Sequence, residues 1–277
     1  MKVDLHIHTN ASDGRWTPER LVNEVVKTGI RLFSVTDHDT VDNISAVQKL
    51  ATDAGVLFIP GVEISATLNG QLFHILGYGI EQTNPGLQKI LTHNTGLMNK
   101  NDDNSIRQLI ARGYDIDYAA YLSYQDDSGR GGWKALNFLI DTGLCAGMEE
   151  FFRVLFKDAP APYPIFPHPE EIITAIVEAG GTPILAHPGG SVNRKSSIEE
   201  VLLTFLEFGI GGFESFHPEH DEKKTRICLE FSQKNERQIT GGSDCHGGFI
   251  RSRKLGLPDI VLQQLKLKKL GEYTERV

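Results

Sequence analysis

Residues 1–14 read MKVDLHIHTNASDG, and the fold turns on how Val3–Ile7 is taken. A short apolar run carrying polar groups at alternate places reads as a strand. Side chains two apart on a strand face the same way, so the imidazoles of His6 and His8 at its end reach one point. A helix follows directly. Thr17 caps it, Pro18 occupies its first turn, and Gly29 stops it.

The same unit recurs outward along the chain. Leu32–Val35, Val56–Ile59, Leu72–Leu76, Pro183–Ala186, Ile210–Phe216 and Ile239–Thr240 read as further strands. Helices are predicted from Asp42, as a cap, to Gly55, and at Glu170–Ala179, Ile198–Phe208 and Glu222–Lys234. Strands alternating with helices predict parallel pairing in an α/β barrel or a doubly wound sheet. The rhythm breaks between His93 and Phe166. Helical patterns at Leu97–Arg112, Lys134–Asp141 and Met148–Phe156 are punctuated there by Gly129–Gly132 and closed by the proline-rich run Ala159–Pro169. About 70 residues is far longer than an ordinary connection. Residues 1–93 and 167–277 are therefore read as two parts of a barrel, and 94–166 as an inserted helical lid. The alternative is a set of extra helices packed on the barrel flank.

Composition narrows the function. With 277 residues, 40% of them hydrophobic and 23% charged, the chain can bury a full core and carries no block polar enough for disorder. A net charge of −8 argues against a broad basic face for duplex nucleic acid. Bound cations would turn one locality positive and leave an anionic substrate admissible. Cys145, Cys228 and Cys245 are far apart, without a CxxC pair, which disfavours a disulfide framework or a zinc ribbon and fits a reduced cytoplasmic setting. No run resembles a signal peptide or approaches the ~20 apolar residues of a membrane span, so the chain is expected to be soluble.

The chemistry-bearing residues fall at strand ends. After His6 and His8 comes Asp13, in the turn SDG. Asp37-His38-Asp39 ends the second strand, Glu63 follows the third in GVEIS, and His187 ends the fifth in ILAHPGG. Asp244 and His246 come just after the last strand in GGSDCHG, while His74 lies within the run LFHILG. In a parallel barrel the C-terminal strand ends are where loops converge and active sites form. A lone strand histidine is usually a satisfied structural group, and SDG alone is a turn. Nine imidazoles and carboxylates in this order are poorly explained by accident. Without thiolates, such a set suits zinc, manganese or iron, and two or three such cations close together can bind phosphoryl oxygens and activate water.

The order HxH, SDG, TDHD, GVEIS, His74, AHP and GSDxH resembles the polymerase-and-histidinol-phosphatase (PHP) family of metal-dependent phosphoesterases, over nearly the whole chain. The resemblance implies a distorted (β/α)7 barrel with a helical insertion and two or three divalent metal ions. It implies that His6, His8, Glu63 and Asp244 hold one metal, that a bridging Glu63 joins His74 and His187 on a second, and that Asp13, His38 and His246 hold a third. A hydroxide between metals would attack phosphorus. The implied substrate is a small phosphate monoester, foremost a nucleoside 3′,5′-bisphosphate or the end of a short RNA. A cyclic sugar phosphate or histidinol phosphate is the alternative, and a non-catalytic PHP module a further one. Stand-alone nucleotidases of the family carry GRxH and AHPGR, where this chain has Gly129-Arg130-Gly131-Gly132-Trp133 and His187-Pro188-Gly189-Gly190.

Three further roles are expected. Arg130 and Arg194 could clamp a non-reacting phosphate, as guanidinium does with paired donors, though either could be an ordinary surface arginine. His217, and less readily His220, follows the sixth strand and could protonate the leaving oxygen. Asp37 and Asp39 flank a proposed ligand and could orient an imidazole, with helix capping as the rival for Asp39.

Overall fold

The computed structural model describes residues 1–157, 163–190 and 196–274. Strands β1 (Lys2–Asp4), β2 (Ile30–Val35), β3 (Leu57–Leu68), β4 (Gln71–Tyr78), β5 (Thr182–Leu185), β6 (Gly212–Phe216), β7 (Gln238–Gly241) and β8 (Ile260–Val261) form one sheet in the order β7-β6-β5-β4-β3-β2-β1-β8. The backbones that run on past β1 and β7 meet each other. Leu5 N donates to Gly241 O at 3.2 Å and His8 N to Cys245 O at 2.9 Å, with a parallel bridge between Ile7 and Cys245. The sheet is thereby nearly closed into a barrel.

The α-helices among the described residues are α1 (Pro18–Thr28), α2 (Ile44–Asp53), α3 (Pro85–Ala111), α4 (Tyr118–Ser123), α5 (Lys134–Asp141), α6 (Met148–Glu150), α7 (Pro169–Glu178), α8 (Ile198–Glu207) and α9 (Glu222–Lys234). The local chemistry explains several boundaries. Thr17 accepts the Arg20 N–H at the start of α1, and Gly29, at φ 74°, ends it in the left-handed conformation that a glycine adopts without penalty. Asn43, not Asp42, occupies the cap position of α2, and no side chain bonds there.

Three sequence expectations are corrected. β3 and β4 are not parallel neighbours joined by a crossover. They form an antiparallel hairpin paired from Gly61↔Tyr78 to Leu68↔Gln71, and β4 pairs antiparallel with β5 as well. The turn Asn69-Gly70 carries it, both residues having positive φ, and the linker is too short for any helix. An eighth strand, β8, lies antiparallel on β1. The helical pattern expected from Leu97 begins instead at Pro85, where Asn84 caps α3, so one helix crosses the expected boundary at residues 93 and 94.

Apolar side chains sort into separate cores. Inside the barrel, Val3, Leu5, Leu32, Ile59, Leu76 and Ile184 pack with Leu267 and Leu270 of the C-terminal segment. Outer clusters bind α1, α2 and α7–α9 to the sheet. Each such side chain, fully buried, contributes about 1.5–3 kcal/mol. A fourth cluster, built on Ile106, Leu136, Phe138 and Phe151, belongs to the helices between β4 and α7. α3 spans two environments, with Leu87 and Leu91 in an outer cluster against the sheet and Ile106 and Leu109 in the fourth. No helix among the described residues is long and apolar enough to cross a membrane.

Candidate metal centre

One end of the barrel gathers the imidazoles and carboxylates. His6 and His8 lie on extended backbone held on both sides, by Cys245 O and by the Thr36 N–H that donates to Ile7 O. The loop bearing Asp13 is folded back by Asp37, which accepts from Thr9 N at 2.7 Å, Thr9 Oγ1 at 2.5 Å and Ser12 Oγ at 2.6 Å. Glu63 sits within β3 rather than beyond it, and His38 bridges to it across the sheet. His74 projects from β4, His187 follows β5, and Asp244 and His246 follow β7. His187 and Asp244 have φ values of 28° and 51°. Non-glycine residues held there are strained, and such strain gathers at functional sites.

The donor atoms converge. His6 Nε2 and His8 Nε2 are 3.2 Å apart; Glu63 Oε2 lies 3.1 and 3.2 Å from them, and Asp244 Oδ1 3.5 and 3.1 Å. The other Glu63 oxygen, Oε1, is 3.2 Å from His74 Nδ1 and 3.0 Å from His187 Nε2, which are themselves 3.5 Å apart. His246 Nε2 is 3.3 Å from Asp13 Oδ2, and His38 joins these two and His8 in a further group whose donor atoms all lie within 4.8 Å of one another. Glu63 thus presents a different oxygen to each of two donor groups.

A cation fits this arrangement better than protons do. Asp244 Oδ1 and His8 Nδ1 are buried and have no hydrogen-bond partner among the described residues. Asp244 Oδ2, by contrast, is held by His217 Nε2 at 3.1 Å and Arg253 Nη1 at 2.5 Å, which turns Oδ1 into the cluster. Burial opposes ionisation of Glu63 and Asp244, but the surrounding imidazoles outweigh it and hold both carboxyls well below the usual range. Oxygen and nitrogen donors without thiolate, converging on buried unpaired atoms, are the requirements of a divalent cation.

Several expected roles are corrected. His217 is buried, and its Nδ1 accepts the Glu219 N–H, so its proton is on Nε2 and donated to Asp244. It thereby holds the Asp244 carboxylate. His220 accepts the Gly189 N–H and reaches Ser215 O, pinning the turn after His187. Asp37 bonds the Thr9–Ser12 loop, and Asp39 bonds Ser65 and Asn94, tying β3 to α3; neither bonds an imidazole and Asp39 caps no helix. Arg130 is engaged by Asp141 at 2.7 Å and Tyr124 at 3.1 Å within the helical segment. Arg194 lies outside the described residues.

Two residues escaped the sequence reading. Glu214 on β6 accepts from His6 Nδ1 at 2.9 Å and from the His187 backbone N–H at 2.8 Å, doing what was expected of Asp37 and Asp39. Arg253 links Asp244 to Glu219, whose carboxylate it meets at 2.6 Å. Glu214 carried a signal, a carboxylate inside the apolar strand β6 three residues before His217, whereas Arg253 lies in an irregular segment that gave none.

The cluster opens into a cavity of about 890 Å³, lined by Asp13, His38 and His74 from the barrel and by Trp133, Phe152 and Tyr163 from the segment between β4 and α7. The two sides meet where Gly132 N donates to Asp13 O at 2.8 Å. Gly131, at φ 72°, allows this approach, because a Cβ there would lie 2.7 Å from Arg15 Cγ and 2.9 Å from Asp13 O.

Comparison with known proteins agrees with this geometry. The PHP domain model matches residues 4–131. The chain is 29% identical over 269 residues to the phosphoribosyl 1,2-cyclic phosphate 1,2-diphosphodiesterase of Eggerthella lenta, covering 92% of this chain and 98% of the relative. It is 31% identical over 273 residues to the 5′-3′ exoribonuclease Rnm of Salmonella typhimurium, covering 92% and 89%. In fold it matches a metal-dependent phosphoesterase of Bifidobacterium adolescentis, with a TM-score of 0.83 at 22% identity over 98% of this chain and 96% of the other. The donor groups at the barrel end, the matched domain and these relatives place the chain in the PHP family of phosphoesterases.

Proposed function

We propose that this protein is a metal-dependent hydrolase of a small phosphate monoester of nucleotide type. In this reading His6, His8, Glu63 and Asp244 hold one divalent cation, Glu63 with His74 and His187 a second, and Asp13, His38 and His246 a third. When bound, such cations neutralise phosphoryl oxygens and make water a competent nucleophile. The chain's own residues do the remaining work. Glu63 presents one oxygen to each of two groups, and Glu214 fixes the His6 ring. His217 and Arg253 together aim Asp244 Oδ1 inward. The helical segment acts as a lid that excludes water from the cavity.

The observation carrying the nucleotide reading is the cavity, which joins Asp13, His38 and His74 to aromatic side chains of the helical segment. A base stacked on such a face gains about 1–3 kcal/mol, and a bare sugar phosphate has nothing to set there. A cyclic sugar phosphate is the second reading, favoured by the match to nearly the full length of the Eggerthella lenta diesterase. The three cysteines are buried and unpaired, which accords with a reducing cytoplasm.

A panel of nucleoside 3′,5′-bisphosphates, dinucleotides and cyclic sugar phosphates, scored for phosphate release with added manganese, decides between these readings. Release from bisphosphates is expected, and Asp244→Ala is expected to abolish it together with metal binding. Turnover of cyclic phosphates alone would transfer the assignment to the second reading. Undiminished turnover in Asp244→Ala would end both.

A further inference from the structure

At the lid end of the same cavity stands a carboxyl group for which chemistry at phosphorus has no use. Asp102, on α3, is only 9% exposed and lines the cavity beside Trp133, Lys134 and Asp126. Its Oδ2 accepts the Ala135 backbone N–H at 3.1 Å, in the first turn of α5. Its Oδ1 has no hydrogen-bond partner among the described residues. A carboxylate offers about four acceptor sites, so capping α5 leaves most of the group unused. A serine or asparagine would cap that helix without burying a charge. A carboxylate oxygen that lines a cavity and takes no bond from the chain is placed to meet a ligand. Burial pushes the Asp102 carboxyl up to about 7 and the Asp126 charge adds to this, with the Ala135 N–H and Lys134 pulling the other way.

We infer that this end of the cavity is a nucleobase pocket, in which Trp133 supplies a stacking face and Asp102 Oδ1 receives the exocyclic amino group of adenine, cytosine or guanine. The inference rests on the phosphoesterase reading above and adds the group that is recognised. With its phosphate among Asp13, His38 and His74, a nucleotide would run the length of the cavity and bring its base to α3 and α5. Uracil has no exocyclic amino group to offer Asp102 Oδ1. A site built to bond a particular donor discriminates strongly against a ligand that lacks it.

The experiment compares kcat/KM of the manganese-loaded enzyme on the 3′,5′-bisphosphates of adenosine, cytidine, guanosine and uridine, in the wild type and in Asp102→Asn. The asparagine keeps an oxygen for Ala135 and turns an amide N–H2 toward the cavity. The wild type should favour the three amino-bearing bases over uridine by about tenfold or more, and Asp102→Asn should shrink or invert that ratio. A purely structural role would lower all four rates together and leave the ratio unchanged, and that outcome overturns the pocket. Equal kcat/KM for the four bases in the wild type, alongside real phosphate release, overturns it even if the variant does not fold. Absence of turnover on every bisphosphate and on p-nitrophenyl phosphate would be a different failure, bringing down the phosphoesterase reading and the pocket with it.

Discussion

The side chain that best separates a metal ligand from its support is Glu214, whose two oxygens hold the His6 ring and the His187 backbone. Such supporting carboxylates typically change metal affinity 10–100-fold. Glu214→Gln preserves shape but sets an amide against the His6 Nδ1–H, so its metal dissociation constant should rise about 10- to 100-fold. Titration with manganese measures it, and affinity within twofold of wild type would remove Glu214 from the centre. Asp102 supplies a second residue-scale prediction. Its folded value near 7 stands above the ordinary 3.8. The folded chain therefore keeps a proton that the unfolded chain releases between those values. That contribution to stability is complete below about pH 4 and is lost as pH rises through about 7, a loss on the order of 2–4 kcal/mol. Wild type should lose stability relative to Asp102→Asn between pH 5 and pH 8 in denaturant titrations; parallel curves would contradict the buried acid. The nine donors that converge were legible because each sits beside a recognisable strand, and a period of two fixed which way His6 and His8 face. The partners of Glu214 and Arg253 were not, because they lie more than two hundred positions away, or across a loop without periodicity, and no local pattern encodes those.

At the scale of elements, strand positions were legible from apolar runs, but their pairing was not. β3 and β4 each show a run that fits a parallel or an antiparallel neighbour equally well, and only the Asn69-Gly70 turn distinguishes them. The consequence is functional. The hairpin puts Glu63 and His74 in mid-strand, two register positions apart across one ladder, so their side chains meet without help from a loop. The segment 129–133 shows the opposite case. Its glycines looked like a departure from a substrate-gripping motif, yet in space they let the helical segment touch the Asp13 loop. Gly131→Val would place a branched side chain at φ 72° against Arg15 and Asp13 O. Strain of this kind costs about 1–3 kcal/mol, and the easiest relief is to separate the two segments. The Gly132–Asp13 hydrogen bond should then break, and the variant should retain one metal equivalent fewer than wild type after dialysis, as Asp13 loses its position. Full metal content together with full activity would show that this contact does not position Asp13.

For the molecule as a whole, barrel closure is the property that sequence could least disclose, because it joins the two ends of the chain. Leu5 and His8 meet Gly241 and Cys245, and only that meeting brings His6 and His8 to Asp244. The donor set therefore exists only in the folded chain, with no equivalent in the unfolded one. A ligand that binds only the native state stabilises it by mass action, by about 2.7 kcal/mol when its free concentration is a hundred times its dissociation constant. For a chain of 277 residues that corresponds to a rise in Tm of about 5 °C. Manganese should raise the Tm of chelator-stripped protein by about that amount and excess chelator should reverse it. Since the donors come from both edges of the sheet that closes, the shift should be clearly smaller in His8→Ala, although that residue is a small part of the total buried surface. The contrast matters because a metal bound adventitiously at the acidic surface of a chain carrying −8 net charge would raise Tm equally in both proteins. Differential scanning calorimetry of the two, with and without manganese, reads the difference directly, and equal shifts would show that cations do not bind where the barrel closes.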